Sequence, residues 1–177
     1  IEVFLLNKFT TQEELQDILV PLKHGENIGL ITDAGCPGVA DPGADLVALV
    51  HQHNIRVVPL VGPSSILLAV MASGLNGQSF AFNGYLPIDK VERKKAIKQF
   101  EKKSSELQQT QVFIETPYRN NTLLEELCKS LRPETQLSVA CDLTLPTEFI
   151  RTNTAANWQK NREDFLRRPA VFSILAN

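Results

Sequence analysis

The amino-acid sequence predicts an α/β protein with two domains. In the first 75 residues, short apolar segments typical of strands alternate with segments whose apolar residues recur at helical spacing. The predicted strands are apolar along nearly their whole length, which is typical of a parallel sheet covered by helices on both faces. Residues 74–79, GLNGQS, interrupt this pattern, and the segments that follow favour a mixed sheet. We therefore expect an N-terminal domain over residues 1–75 and a C-terminal domain over residues 76–177.

The N-terminal domain is expected to contain three strands and three helices. The strands are predicted at residues 2–6, 27–32 and 56–61. Thr11 and Glu14 have capping-box spacing and begin the first helix. Its apolar face comprises Leu15, Ile18, Leu19 and Leu22. The second helix ends near Asn54, and the third covers residues 66–73 and is closed by Gly74.

The C-terminal domain is expected to contain five strands and three helices. The strands are predicted at residues 80–87, 111–114, 137–143, 148–152 and 170–175. The third and fourth of these favour an antiparallel pair across a turn at Leu145 and Pro146. One helix, residues 91–103, is rich in lysine, and the next has capping-box spacing at Thr122 and Glu125. The last helix is predicted around residues 158–168.

The composition is that of an ordinary globular protein and excludes several function classes. Hydrophobic residues make up 43% of the 177 residues, and the formal net charge is −2. No global basic field exists, so any nucleic-acid binding must be local. The longest apolar run, residues 66–72, is too short to cross a bilayer, and no membrane partner is expected. Three widely spaced cysteines without a CxxC pair indicate a reducing, cytoplasmic location and no metal site.

Two glycine-rich segments follow predicted strands, at residues 33–43 and residues 62–65. Ligands of parallel α/β sheets bind at the carboxyl ends of the strands, so these loops are candidates for a small-molecule site lined by backbone. The alternative for the first loop is a long connection in which Asp41 caps the next helix. Neither a GxGxxG motif nor a P-loop is present, which argues against the common nucleotide folds.

The roles of two sets of polar residues, the serines of the second loop and an acid–base pair of the C-terminal domain, each have two possible explanations. Ser64 or Ser65 either caps the third helix or offers a hydroxyl to a ligand at its N-terminus. Glu115 and Arg119 flank a proline turn after a buried strand. They form either a surface ion pair or an acid and a base that face one crevice.

Five segments taken together resemble the tetrapyrrole methylase superfamily of S-adenosylmethionine-dependent methyltransferases, and most closely its small-subunit ribosomal RNA methyltransferases. The segments are TDAGCPGVADPG, RVVPLVGPSS, MASGL, the F…GYLP stretch and FIETPYR. Their order and spacing match over nearly the whole chain. The resemblance implies a two-domain tetrapyrrole methylase-like α/β fold with an incomplete parallel-sheet first domain and a mixed-sheet second domain.

The resemblance also implies a cofactor, S-adenosylmethionine, and the residues that touch it. These residues are Ala34, Gly35, Cys36, Val39, Ser64, Ser65, Glu115 and Leu143. Two positions depart from the pattern of the ribosomal RNA enzymes. Tyr118 stands where those enzymes commonly have histidine, and Cys141 with Asp142 stands where they commonly have an Arg-Glu pair.

Three functions remain open for the methyl acceptor. The first is ribose 2′-hydroxyl methylation of small-subunit ribosomal RNA, which needs a base, with Glu115 and Asp142 as the main candidates beside Asp33 and Asp41. The second is methylation of a tetrapyrrole or another small metabolite, and the third is a non-catalytic binding module. The expected substrate-binding residues are Tyr118, Arg119, Lys94, Lys95 and Lys98. The lysine-rich helix is equally well explained as a solvated surface.

The start of the chain carries one further expectation. The chain begins at Ile1, and the family's first strand and its glycine-containing cofactor loop have no counterpart here. The resemblance therefore implies that at least one strand–helix unit is missing. We expect uncovered apolar edges in the N-terminal domain, weak cofactor binding by this 177-residue piece, and self-association as a homodimer.

Overall fold

The computed structural model describes residues 2–33, 35–160 and 163–177. The chain forms two compact units, Ile1–Ser64 and Ser65–Asn177. No helix in these described ranges is long and apolar enough to cross a membrane.

The first unit is built on two helices, α1 (Gln12–Lys23) and α2 (Gly43–Gln52). The predicted capping box begins α1: the Glu14 N–H donates to Thr11 Oγ1 at 3.3 Å, and the Thr11 N–H donates to Glu14 Oε2 at 2.7 Å. The apolar faces of both helices form one small core. Its buried members are Leu15, Ile18, Leu19, Leu46, Leu49 and Val50.

The three strands predicted in the first unit are wrong as strands, because no strand lies among the described residues of that unit. The segments at residues 2–6, 27–32 and 56–61 each pack one side against the helices, through Leu6, Ile28 and Val57 respectively. Their other side is open. Five side chains there are at least 80% exposed: Val3, Leu5, Ile31, Leu60 and Val61. Apolarity predicts burial, whereas a strand also requires a neighbouring backbone that completes the hydrogen-bond ladder.

The second unit contains a five-stranded mixed sheet in the order β1-β2-β5-β3-β4. Its strands are β1 (Phe80–Tyr85), β2 (Thr110–Ile114), β3 (Gln136–Cys141), β4 (Phe149–Thr154) and β5 (Ala170–Leu175). β1 and β2 are parallel, and every other neighbouring pair is antiparallel, including the predicted β3–β4 pair. The predicted mixed sheet is thus confirmed.

Helices cover both faces of this sheet. On one face, α3 (Ser65–Ser73) packs Ala69 and Val70 against Val112, Ala140 and Val171. The opposite face carries the larger core, to which three helices contribute. These are α4 (Lys90–Leu107), α5 (Asn120–Ser130) and α6 (Ala155–Lys160). Alternate strand residues point to the two cores because successive side chains lie on opposite faces of a strand.

α3 belongs to the second unit by its contacts. The boundaries of two helices differ from the sequence prediction. The capping box at Thr122 and Glu125 is wrong, because α5 already begins at Asn120. α6 covers Ala155–Lys160 and does not extend to residue 168. Phe165 is fully buried in a turn segment that follows, where tertiary packing overrides helical spacing.

Candidate functional site

Asp41 organises the first glycine-rich loop. Its Oδ1 accepts hydrogen bonds from the N–H groups of Gly38 at 3.0 Å and Gly43 at 2.9 Å, and its Oδ2 accepts one from Thr32 Oγ1 at 2.8 Å. The Gly38 bond is the largest influence and lowers the pKa of Asp41; burial acts in the opposite direction, and the Thr32 and Gly43 bonds lower the pKa further. Asp41 therefore connects the loop to the start of α2 by hydrogen bonds. This agrees with the alternative in which the loop is a long connection and Asp41 caps the next helix.

The loop is tight at one glycine and open at another. A Cβ on Gly43 would lie 2.7 Å from both Asp41 Oδ1 and Leu30 Cδ2, so a side chain there would displace the carboxylate that holds the loop. At Gly35, whose φ is +78°, no atom lies within 4 Å of the position of a Cβ, and the same holds at Gly62 in the second loop. Space therefore lies directly against the backbone in these two loops, as a backbone-lined ligand site requires.

The two loops of the first unit touch each other. Cys36 Sγ donates to the Pro63 carbonyl oxygen at 3.5 Å, and the Val39 N–H closes a turn on the Cys36 carbonyl oxygen at 3.2 Å. The structure thus places the predicted residue Cys36 against Pro63, with Val39 on the same turn as Cys36. Ala34 lies outside the described residues. Ser64 is half-buried, and Ser65 is exposed at the first position of α3.

In the second unit, Glu115 and Arg119 pair with each other across a single 3₁₀ turn, Pro117–Arg119. Glu115 Oε1 accepts from Arg119 Nη2 at 2.7 Å, from Arg119 Nε at 3.1 Å and from the Thr116 N–H at 2.6 Å. The Glu115 side chain is 1% exposed and the Arg119 side chain 33%. The pair is therefore a buried carboxylate beside a half-buried guanidinium. The two side chains form an ion pair, as the first interpretation predicts, but the carboxylate is buried and does not lie on the surface.

Asp142 follows β3 and is held by Arg168, a residue that the sequence analysis did not single out. Asp142 Oδ2 accepts from Arg168 Nε at 2.8 Å and from Thr147 Oγ1 at 2.8 Å, while Arg168 Nη2 donates to the Thr147 carbonyl oxygen at 2.7 Å. Burial acts to raise the pKa of Asp142, but the bonds from Arg168 and Thr147 outweigh it and lower the pKa. Leu143, the next residue, packs partly buried against the α3 side of the sheet.

Arg167 and Arg168 stand together before Pro169, and this dibasic pair was the available signal in the sequence. In the helix predicted around residues 158–168, the pair would lie at the C-terminal end, where basic residues are common. In the structure, Arg168 donates hydrogen bonds to Asp142 and Thr147, at the two ends of the 142–147 loop. The guanidinium carbon of Arg167 lies 5.9 Å from the ring centroid of Tyr118, which is 71% exposed.

The lysine-rich helix α4 carries less uncompensated charge than its sequence indicates. Arg93 is buried, forms a two-point ion pair with Glu126, and donates from Nη1 to the Ile88 carbonyl oxygen at 2.9 Å. Lys95 pairs with Glu92 at 2.8 Å, and Lys98 lies 3.5 Å from Glu101.

The two buried cysteines and the possible metal-binding side chains add nothing to the loops of the first unit or to the Glu115 and Asp142 clusters. Burial raises the pKa of Cys128 and of Cys141 to about 11. Among the described residues, no group of three or more His, Cys, Asp or Glu side chains is arranged to hold a metal ion.

Curated proteins similar to this chain share one name. The chain is 35% identical over 150 residues to "Ribosomal RNA small subunit methyltransferase I" of Vibrio cholerae, which covers 85% of this chain and 51% of the relative. The protein of the same name from Buchnera aphidicola subsp. Baizongia pistaciae is 31% identical over 172 residues, which covers 96% of this chain and 58% of the relative. The chain therefore spans about half the length of the curated relatives it matches.

Solved structures and the family profile agree with this similarity. The methyltransferase CobJ superposes with a TM-score of 0.60 at 15% identity, covering 93% of this chain and 76% of that one. A uroporphyrin-III C-methyltransferase from Thermus thermophilus, complexed with S-adenyl homocysteine, superposes with a TM-score of 0.53 at 19% identity, covering 93% and 73%. This likeness confirms the predicted α/β fold. The profile described as Tetrapyrrole (Corrin/Porphyrin) Methylases matches residues 6–158. The chain belongs to the tetrapyrrole (corrin/porphyrin) methylase family.

Proposed function

We propose that the protein containing this chain transfers a methyl group from S-adenosylmethionine to a ribose 2′-hydroxyl of small-subunit ribosomal RNA. The observation that supports this most directly is the 35% identity, over 85% of this chain, to a relative named for that RNA. We further propose that the protein acts in the cytoplasm.

The residues of the first unit fit the proposed cofactor. S-adenosylmethionine supplies a methyl group on a sulfonium, whose leaving group is neutral. The protein must therefore mainly align the reactants and exclude water. We assign the cofactor to the backbone around Gly35, Cys36 and Val39, where open space lies against the chain. Motif position alone supports the other assigned contacts: Ala34, Ser64, Ser65, Glu115 and Leu143.

A matched pair of glycine variants tests whether the second loop belongs to the cofactor site, by calorimetric titration of the full-length protein. Gly62→Ala places a methyl group in open space, so we expect unchanged stability and a cofactor affinity at least about tenfold weaker. Gly43→Ala meets Asp41 and Leu30, so we expect it to lower stability by about 1–3 kcal/mol. Wild-type affinity in the Gly62→Ala protein would remove the second loop from the cofactor site.

A ribose hydroxyl acceptor requires a base, and Glu115 and Asp142 remain the candidates. Asp142 is the weaker of the two, because the bonds from Arg168 and Thr147 lower its pKa, and a carboxylate with a lowered pKa is a weaker base. We therefore assign the role to Glu115, whose carboxylate is buried beside Arg119. Glu115→Gln should lower the methylation rate about 100-fold or more, whereas Lys129→Gln, on the exposed part of α5, should leave it unchanged.

The decisive experiment is a methylation assay of the full-length protein. Its substrates are small ribosomal subunits from cells that lack the protein and, in parallel, an anionic tetrapyrrole. Methyl transfer to the ribosomal RNA supports the proposal. Transfer to the tetrapyrrole alone would establish the metabolite methylase, and cofactor binding without transfer to either would favour a non-catalytic module.

Two further proposals concern partners. We infer that Lys94, Lys95 and Lys98 contribute to RNA binding through their long-range charge. Replacing all three with glutamate should weaken binding and reduce its salt dependence. We also infer a homodimer formed through the exposed apolar side chains of the first unit, including Leu5 and Leu60. Light scattering of the wild-type and Leu60→Lys proteins tests this inference, because a monomeric wild type contradicts it.

A further inference from the structure

Tyr118 presents an aromatic ring to solvent on a rigid turn of the second unit. The ring is 71% exposed, and the 3₁₀ turn that carries it is closed by the Arg119 N–H, which donates to the Thr116 carbonyl oxygen at 2.9 Å. The guanidinium carbon of Arg167 lies 5.9 Å from the ring centroid, within the range of a cation–π contact. An exposed aromatic ring beside a guanidinium is a surface on which a planar base stacks.

The backbone of Arg167 is strained in a way that the fold does not require of an arginine. Its φ is +61°, in the left-handed region that favours glycine and costs other residues about 1–2 kcal/mol. The Arg167 N–H donates to the Pro117 carbonyl oxygen at 2.9 Å, which fastens this turn to the turn of Tyr118. A glycine would make the same backbone bond without strain. The backbone bond therefore does not depend on the arginine side chain, which is available to contact a ligand.

Arg167 also supplies the unbalanced charge of this surface. Arg119 is paired with Glu115, Arg168 with Asp142, and Arg151 with Glu163. Within the described parts of the chain, Arg167 forms no ion pair, and it is exposed. An anion that approaches this turn therefore meets Arg167 as the cation without an acidic partner.

We propose that Tyr118 and Arg167 form a stacking platform for one unpaired nucleobase of the RNA substrate, and that the Arg167 guanidinium also contacts the adjacent phosphate. The inference rests on the proposed function, because it takes RNA as the methyl acceptor. Single-stranded RNA is the matching ligand, since bases within a duplex do not offer their faces to side chains.

Binding of RNA to the full-length protein tests the platform. The probe is a 12-nucleotide single strand that carries one 2-aminopurine, and the same sequence as a duplex is the comparison. Tyr118→Ala should weaken binding of the single strand about tenfold, and Tyr118→Phe should bind within about twofold of the wild type because the ring remains. The fluorescence of 2-aminopurine should be quenched by the wild type and by Tyr118→Phe only.

Arg167→Gly separates RNA binding from folding. The variant should bind the single strand several-fold more weakly, with the slope of log K against log salt smaller by about 0.7, while its melting temperature rises because the strain is relieved. Gln108→Gly is the matched control, since Gln108 is also left-handed, with φ +48°, but carries no charge. It should change melting temperature alone.

The outcomes separate this inference from the proposed function. If the protein methylates ribosomal subunits while Tyr118→Ala and Arg167→Gly both bind the single strand like the wild type, the platform is overturned and the function stands. If the variants lose binding but no ribosomal RNA is methylated, the platform stands and the function falls. A wild type that fails to bind the single strand, or prefers the duplex, overturns the platform.

Discussion

At the scale of single residues, Cys36 differs from the other two cysteines in its surroundings. Cys36 is half-buried in the first loop, whereas Cys128 and Cys141 are buried, and burial raises the pKa of both to about 11. Because thiolates are the reactive species, iodoacetamide at about pH 8 should alkylate Cys36 first. S-adenosylhomocysteine at roughly ten times its dissociation constant should slow this alkylation about tenfold.

Peptide mass spectrometry measures all three cysteines in one sample, and the buried pair serves as the internal control for unfolding. Alkylation of Cys36 at the same rate with and without the ligand would contradict the assignment of this loop to the cofactor.

Asp142 makes stability depend on pH in a predictable direction. Its folded pKa lies below the ordinary value of 3.8, so its bonds stabilise the fold above that value, and the stabilisation is lost as the pH falls through the folded pKa. Asp142→Asn should lower the free energy of unfolding by about 2 kcal/mol at neutral pH. The difference from the wild type should shrink in strong acid.

Urea unfolding at neutral pH and in strong acid measures this difference. Asp17→Asn on the exposed face of α1 controls for the loss of one negative charge. If the two proteins differ in free energy of unfolding by the same amount at neutral pH and in strong acid, the charge of Asp142 does not contribute to its stabilising interaction with Arg168.

At the scale of elements, Arg93 determines how α4 attaches to α5. Its guanidinium pairs with Glu126 and donates to the carbonyl oxygens of Pro87 and Ile88, although it lies within a run of basic residues that appears solvated in the sequence. Arg93→Ala would leave the half-buried carboxylate of Glu126 and two carbonyl oxygens without their donor, and should cost about 3 kcal/mol of unfolding free energy.

Lys94→Ala is the matched control, because the neighbouring Lys94 is exposed on the same helix. Chemical denaturation should find this control within about 0.5 kcal/mol of the wild type. Equal stability of the Arg93 and Lys94 variants would mean that α4 and α5 are held by their apolar contacts alone.

At the scale of the whole molecule, the position of α3 decides which fragment folds. Ala69 and Val70 of α3 are buried against the sheet of the second unit, and Thr152 Oγ1 donates to the Ser73 carbonyl oxygen at 2.6 Å. A fragment of residues 65–177 should therefore unfold cooperatively. A fragment of residues 76–177, cut at the domain boundary predicted from the sequence, should be less stable by about 3 kcal/mol, because it exposes the α3 face of the sheet.

Fluorescence of Trp158, the single tryptophan, reports the unfolding of both fragments because it is buried in the larger core. Equal stability of the two fragments would place the folding boundary at residue 75 and make α3 part of the N-terminal domain.

Patterns within short stretches of sequence were sufficient to predict most elements of the second unit and the family of the chain. The apolar side chains of residues 137–143 predict β3. A turn at Leu145 and Pro146 predicts that the next strand, β4, pairs with it antiparallel, because the two strands are close in sequence. The capping box of Thr11 and Glu14 is equally local and was confirmed. The spacing of the motifs indicated the methylase family before any contact was known.

Contacts between distant residues were decided by the tertiary structure alone. Whether the apolar segments of the first unit become strands depends on a neighbouring backbone, which residues 2–6 and 56–61 do not find in each other. Arg168 meets Asp142 across 26 positions, and Arg167 meets Tyr118 across 49 positions. The energy of such pairs comes from burial and from geometry that many separate segments create together. No window of sequence contains that information. Sequence patterns were therefore enough for the family, for the sheet of the second unit and for most helices, whereas the strands of the first unit and the pairing of the charges depended on the folded chain.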